Sequence, residues 1–427
     1  MPSAGFDDTI VALSSGRPPA AIAVVRTSGP AALEAAERLT GKLPPSRQAT
    51  LRRLRNPLDG ELIDEALILR FDAPNSATGE NVLEYQCHGG RATVDALLSA
   101  LTAMPGVRLA EPGEFTRRAL ANGRIDLTEA EGLADLLTAE TELQRRSAMA
   151  RAGGALRDRL EGWRDRLLAL AASAEVSLDY ADEEDGVAVW ASADDLVQLT
   201  AEMNRLLAAP RVEPLRDGIR VVVAGPPNAG KSSIINALAQ SERAIVTPVP
   251  GTTRDVIEVP LAIGGVPFLL VDTAGLRESS DQVESIGIAR ARSEIGRADL
   301  LLWLGEPGEA PDHPERLQIA AKADLGQVAE GMPVSSITGA GLDDLATWLI
   351  ARSKSLLPTG DELAVDRRQH DMLEESAAAL IRAASLDDPV LIAEELRSAR
   401  QAIDRISGRA DVEDLLDAIF GRFCLGK

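Results

Sequence analysis

The chain has 427 residues, 45% apolar and 26% charged, with 45 Lys and Arg against 66 Asp and Glu for a formal charge of −21. At roughly 150 residues per domain that length allows two to three domains, and a chain this acidic is unsuited to coating nucleic acid by bulk charge. Two cysteines, Cys87 and Cys424, exclude a disulfide-rich secreted scaffold and suit a reducing cytoplasm. No apolar run approaches the ~20 residues of a membrane span. The opening MPSAGFDDTI lacks the basic-then-apolar pattern of a signal peptide. The expectation is a cytoplasmic protein with no membrane contact.

Residues 1–120 read as mixed α and β. Ala20 to Val25, Leu67 to Phe71 and Val82 to Gln86 are short apolar runs bounded by Pro, Asn and Gly, the pattern of strands. Gly89-Gly90 then turns into a helix over 92–103. Residues 121–214 read as helical, with Leu127, Ala130, Leu133, Ala134 and Leu137 at spacings of three and four. Between Arg145 and Arg166 lie seven Arg and three acids, either a solvated helix face or an RNA-facing patch. A linker is expected around Ala208 to Pro210 and Pro214 to Gly218. In 215–357 strands alternate with helices, the mark of a parallel α/β sheet. Residues 358–427 are helical again, so the α/β unit reads as an insertion into one helical domain.

The strand Ile219 to Ala224 runs directly into Gly225-Pro226-Pro227-Asn228-Ala229-Gly230-Lys231-Ser232, followed by a helix. This is GxxxxGK[ST] in the strand–loop–helix setting that the motif requires. Its glycines let backbone N–H groups face phosphates at the positive end of a helix. Lys231 reaches the outer phosphates and the Ser232 hydroxyl binds Mg²⁺. Three further elements follow in the order of a GTPase. Gly251 to Asp255 offers a Thr for Mg²⁺ and the γ-phosphate. In Asp272-Thr273-Ala274-Gly275, Asp272 holds Mg²⁺ through water and the Gly275 N–H senses the γ-phosphate. Lys322-Ala323-Asp324 and Ser335-Ser336-Ile337 stand where the base-contacting loops belong.

Two positions depart from the usual pattern. Ala321 replaces the Asn of NKxD, so Asp324 alone reads the guanine edge, at a cost of ~1 kcal/mol for one lost hydrogen bond. Leu276 stands where Ras-like proteins carry a water-positioning Gln. Leucine orients no water, which leaves Glu278, Asp281 and Glu284 as candidates.

The chain resembles the bacterial MnmE (TrmE) family of tRNA-modification GTPases. The resemblance rests on PPNAGKSS, TPVPGTTRD, DTAGLRE with ESIG, the closing Phe423-Cys424-Leu425-Gly426-Lys427, Asp8-Thr9-Ile10, Glu84 to Gly90 and Pro112 to Ala119. It covers essentially the whole chain and implies a multidomain α+β and α/β fold: a folate-binding and dimerising domain over 1–120, a helical domain over 121–214 and 358–427, and a Ras-like P-loop G domain over 215–357 inserted in it. It implies a cytoplasmic homodimer that forms a heterotetramer with FAD-dependent MnmG. Together they install an aminomethyl or carboxymethylaminomethyl group at C5 of tRNA wobble uridine 34, from 5-formyl-tetrahydrofolate or a related one-carbon carrier.

The resemblance also carries residues over. Arg26, Glu84, Arg124 and Lys427 fall at the folate contacts. Asn228, Thr247, Val249 and Thr252 fall at a K⁺ site, and Glu284 at the water-positioning acid. Ser232 and Thr253 are the Mg²⁺ ligands. The GTP-binding set is Asn228, Ala229, Gly230, Lys231, Ser232 and Ser233, with Thr247, Thr252, Thr253, Asp272, Thr273, Ala274, Gly275, Lys322, Asp324 and Ser335. Cys424 is implied as a nucleophile or assistant in the uridine chemistry, while the apolar run Leu415 to Phe423 equally suits a buried small residue. The alternative function is a GTP-switched ribosome-assembly factor. Such a protein would carry a basic RNA-binding module, against which the acidic, helical flanks count.

Overall fold

The computed structural model describes residues 6–179, 193–241, 243–246, 257–273, 291–326, 330–358, 363–410, 423 and 426. They form two units, 1–134 with 407–427, and 135–406.

The first unit is built on a six-stranded sheet in the order β3-β4-β5-β2-β1-β6. Its strands are β1 (Thr9–Leu13), β2 (Ile22–Ser28), β3 (Thr50–Arg55), β4 (Leu62–Phe71), β5 (Val82–His88) and β6 (Val107–Leu109). β1 and β6 run parallel, and the other neighbours are antiparallel. Val11, Val25, Ile68, Leu83 and Tyr85 point from one face into a core closed by α1 (Ala32–Thr40) and α2 (Arg91–Thr102). The opposite face of β2 and β5 is left for polar residues, as the two-residue period of a strand demands. Helix α3 (Glu114–Ala121) and the first turns of α4 (Leu127–Thr138) complete the unit. Phe423 is buried on Leu120, Ile125, Ala130 and Leu133, and the Gly426 carbonyl accepts a 2.8 Å bond from the Ser14 hydroxyl.

In the second unit, α5 (Glu142–Ala152) is followed by α6 (Ala155–Asp179), α7 (Ala193–Leu207) and the turn α8 (Glu213–Arg216). An α/β sheet intervenes before the final pair of helices. It comprises β7 (Ile219–Ala224), α9 (Lys231–Ala239), β8 (Ala244–Val246), β9 (Ile257–Ile263), β10 (Val266–Asp272), β11 (Leu300–Trp303), β12 (Arg316–Ala321), β13 (Met332–Val334) and α10 (Leu342–Ser353). The closing helices are α11 (Arg367–Ala384) and α12 (Pro389–Ile406). Sheet order is β13-β12-β11-β7-β10-β9-β8. The five strands from β13 to β10 are parallel, with β9 and β8 as an antiparallel edge. Helices α6, α7, α11 and α12 share one apolar core through Leu160, Trp163, Leu199, Met203, Leu380, Leu396 and Ile403. Helices from before and after the α/β segment thus build one bundle, and the segment is an insertion in it.

The stretch before β7 is not a free linker. Pro214 sits in the first turn of α8, where its missing N–H costs nothing, and Leu215 is buried in the α/β core. The arginine-rich helices are neutralised locally. Six of the seven arginines between 145 and 166 hold acids: Arg145 and Arg146 on Glu142, Arg151 on Asp135, Arg157 on Glu161, Arg164 on Asp404 and Arg166 on Glu202.

Candidate functional sites

The nucleotide loop follows from the strand that feeds it. β7 is buried except at the half-buried Arg220 and leads into Gly225, whose φ of 149° and whose approach to Leu304, 3.1 Å from where a Cβ would stand, disfavour a side chain. Asn228 has φ 59° and Gly230 φ 101°, turning the loop back so that α9 begins at Lys231. The Lys231 Nζ donates to the carbonyls of Gly225 (3.0 Å) and Pro226 (2.8 Å). The loop thus closes on its own cation through these two carbonyls. β10 lies parallel beside β7 with Asp272 opposite Val223. That register puts the Asp272 carboxylate where it accepts the Ser232 Oγ hydroxyl. Thr273 Oγ1 donates to the Val223 carbonyl at 2.9 Å, and its side chain is buried there.

On the other side of β7 the base-side residues gather. Lys322, with φ 60°, donates from Nζ to the Asn228 carbonyl at 2.9 Å, tying this loop to the phosphate loop. The Asp324 Oδ1 accepts from the Ser335 Oγ at 2.6 Å. The same Ser335 oxygen accepts from the Ile337 and Thr338 N–H groups. Ala321 packs among the apolar residues beneath the loop. Asn228, Lys231, Ser232, Asp272, Lys322, Asp324 and Ser335 therefore converge at the carboxyl ends of β7, β10, β12 and β13, where open α/β sheets bind ligands. Ala229 packs against the apolar core and Ser233 is exposed in the first turn of α9. Thr247, Val249, Thr252, Thr253, Ala274, Gly275, Leu276, Glu278, Asp281 and Glu284 lie outside the described residues, as do Cys424 and Lys427.

The first unit holds a second polar site. Arg26 on β2 and Glu84 on β5 are cross-strand partners, and Arg26 donates from Nε (3.0 Å) and Nη2 (2.7 Å) to the single oxygen Glu84 Oε1. The other carboxylate oxygen has no partner among the described residues. Arg26 also lies over the Phe115 ring at 5.7 Å. It lines a cavity of about 370 Å³ with Ser76, Thr78, Phe115, Thr116 and Arg124. A cavity with two guanidinium groups and an adjoining free carboxylate oxygen suits a ligand with an anionic end and N–H donors. Gly79, with φ 80°, lets the Arg124 stem cross its loop; a Cβ there would stand 3.2 Å from Arg124 Cγ. Cys87 is buried, and burial pushes its thiol pKa up, the state of an inert cysteine. His88 is exposed on the Asp64 carboxylate at 2.8 Å.

Behind this cavity lies a network that sequence reasoning missed. Arg118 is fully buried and bonds Asp8, Glu80 and Glu114, while Arg108 bridges Asp8 and Glu114. Burial raises the Asp8 and Glu114 pKa values, but hydrogen bonds from the two arginines outweigh it and both carboxyls sit below their usual range. The only signal was that Asp8 and Arg118 both fall within the segments that carry the family resemblance.

Two family models match the chain: the GTP-binding protein TrmE N-terminus over residues 9–124 and the MnmE helical domain over residues 127–424. The tRNA modification GTPase MnmE of Erythrobacter litoralis is 53% identical, covering 98% of this chain and 100% of that protein. The chain belongs to the MnmE family of tRNA modification GTPases. The MnmE of Rhizorhabdus wittichii is 54% identical over 100% of this chain and 98% of that protein. Among solved structures, the G domain of the T. maritima FeoB iron transporter is 25% identical, covering 32% of this chain and 98% of that one at a TM-score of 0.22. As an MnmE family member, the protein is a GTP hydrolase acting in tRNA modification. Among the described residues no helix is long and apolar enough to cross a membrane.

Proposed function

We propose that this protein is a cytoplasmic, K⁺-stimulated GTPase that works with FAD-dependent MnmG to install the aminomethyl or carboxymethylaminomethyl group at C5 of wobble uridine 34 in tRNA. In this reading it dimerises through residues 1–120 and forms a heterotetramer with MnmG, and residues 121–214 and 358–427 frame a G domain over 215–357. The observation that carries it is the pairing, in one chain, of a GTPase phosphate loop with an arginine-lined cavity in the other unit.

The cavity fits a reduced folate: Arg26 and Arg124 suit its carboxylates, and the free oxygen of Glu84 suits pterin N–H groups. Lys427 joins them by resemblance. The bound folate would supply the one-carbon unit. Arg26 fixes the orientation of Glu84, so that one oxygen alone faces a ligand. Cys424 is the proposed thiol of the uridine chemistry.

At the nucleotide site the Ser232 hydroxyl, bonded to the Asp272 carboxylate, is a hard oxygen donor suited to Mg²⁺, with Thr253 proposed as the second ligand and Asp272 as holding the ion through water. Mg²⁺ there would neutralise charge on the β- and γ-phosphates. Lys231 holds the outer phosphates, and Asp324 selects guanine. For K⁺ the proposed ligands are Asn228, Thr247, Val249 and Thr252; Asn228 is exposed, with its backbone carbonyl held by Lys322. K⁺ in that place would stand in for an arginine finger. Glu284 orients the attacking water.

The test is mass analysis of wobble nucleosides in cells lacking the protein. Uridine 34 should lose its C5 aminomethyl-type groups. Unchanged nucleosides would refute the reading.

A further inference from the structure

The cavity in the first unit has two walls from distant sequence. One is the loop carrying Ser76, Ala77 and Thr78; the other is α3, through Phe115, Thr116 and Ala119. The loop is held by hydrogen bonds. Ser76 Oγ donates to the Glu80 carbonyl at 2.5 Å, Thr78 Oγ1 and Ser28 Oγ are 2.6 Å apart, and Asn122 Nδ2 donates to the Thr78 carbonyl at 2.8 Å. The Glu80 carboxylate accepts from Ser28 Oγ at 2.6 Å and from Arg118 Nη1 at 3.2 and 3.3 Å.

Arg118 sits on α3 itself, with no exposed side-chain surface. Its Nη1 also reaches the Asp8 carbonyl (2.9 Å), and its Nη2 reaches Asp8 Oδ1 (2.7 Å) and Glu114 Oε1 (3.1 Å). The Phe6 ring lies 4.5 Å from the guanidinium carbon. A planar fork with five donors meets acceptors in several directions at once; an ammonium of equal charge does not. One rigid buried group thus joins the wall helix to the wall loop and to the start of β1.

We propose that Arg118 is a positioning residue for the ligand of this cavity, acting through Glu80 to fix the separation of the 76–78 loop from α3. The proposal rests on the folate reading above. Arg118 touches no ligand: it sets where Thr78 and Thr116 stand relative to Arg26 and Arg124.

The test uses the full chain and 5-formyl-tetrahydrofolate as probe. Equilibrium binding is measured at low temperature, where circular dichroism shows wild type, Arg118→Lys and Glu80→Gln fully folded. Each single variant should bind about tenfold more weakly, the worth of one charged hydrogen bond. The double variant should bind no worse than the weaker single one, because both cut the same link. A purely structural role would lower Tm and leave Kd in the folded protein unchanged, and that result would overturn the proposal, as would fully additive losses. If Arg118→Lys does not fold, Glu80→Gln alone decides, through the same tenfold change. A wild type that binds no reduced folate would overturn the folate reading and this proposal together.

Discussion

Asp324→Asn is the sharpest probe of base recognition. Asp324 Oδ1 is engaged by the Ser335 hydroxyl at 2.6 Å, and Ala321 supplies no second polar group to the base. In the proposed reading the carboxylate would accept from two guanine N–H donors. Two hydrogen bonds to a charged acceptor at an exposed position, taken at the low end of ~1.5 kcal/mol each, are together worth ~3 kcal/mol. That corresponds to roughly 150-fold in Kd. Asparagine keeps an oxygen for Ser335 and turns its NH₂ towards the base, donor against donor. The folded loop therefore survives while guanine is rejected and xanthine, with an acceptor at position 2, is favoured. The assay is equilibrium binding of GTP and XTP to the two proteins, with a thermal melt to check folding. GTP affinity within twofold of wild type, or no gain for XTP, would show that Asp324 does not read the base.

Other expectations follow from the same sites. Lys231→Ala should abolish GTP turnover by removing the loop's one cation, and a wild-type kcat would refute the phosphate-site assignment. GTP turnover should be faster in KCl than in matched NaCl; Asn228→Ala should erase that preference, and Glu284→Ala should lower kcat with little change in nucleotide affinity. Equal wild-type rates in the two salts would sink the K⁺ mechanism. Asp8 and Glu114 have folded pKa values below their ordinary 3.8 and 4.5, so their contribution to stability is full above those values and is lost as pH falls through the lowered ones. Arg108→Met should flatten the fall of the urea midpoint of the first unit below about pH 4.5; an identical pH slope in both proteins would show that the pairing contributes nothing.

The nucleotide loop was legible because phosphate imposes its needs locally: strand, glycines at positive φ, lysine and hydroxyl lie within the fourteen consecutive residues from Ile219 to Ser232. The inserted layout was legible from the change of period at both ends of the α/β stretch. The Arg26–Glu84 pair was nameable only by resemblance, since its geometry depends on the β2–β5 register across 58 residues. The Asp8–Arg118 bond spans 110 residues and leaves no local pattern at all. The arginine-rich helices left two readings open in the sequence, a solvated face or an RNA-facing patch. Glu142 and Glu161 pair with their arginines along the same helices, while Asp135, Glu202 and Asp404 come from elsewhere in the sequence to hold Arg151, Arg166 and Arg164.

The insertion leaves the bundle unable to finish before its guest. Arg164 and Asp404 meet across 240 residues, and the neck of the insertion is closed by Val212 N–H on the Val365 carbonyl at 3.1 Å and by Arg367 N–H on Glu213 Oε1 at 2.6 Å. During synthesis α6 and α7 emerge with half of their core missing, and they wait while the α/β sheet, closed within its own sequence, forms first. Such long-range closure makes bundle formation slow. The exposed Leu160, Trp163 and Leu199 surface during that wait is where a nascent chain of this design most needs a chaperone.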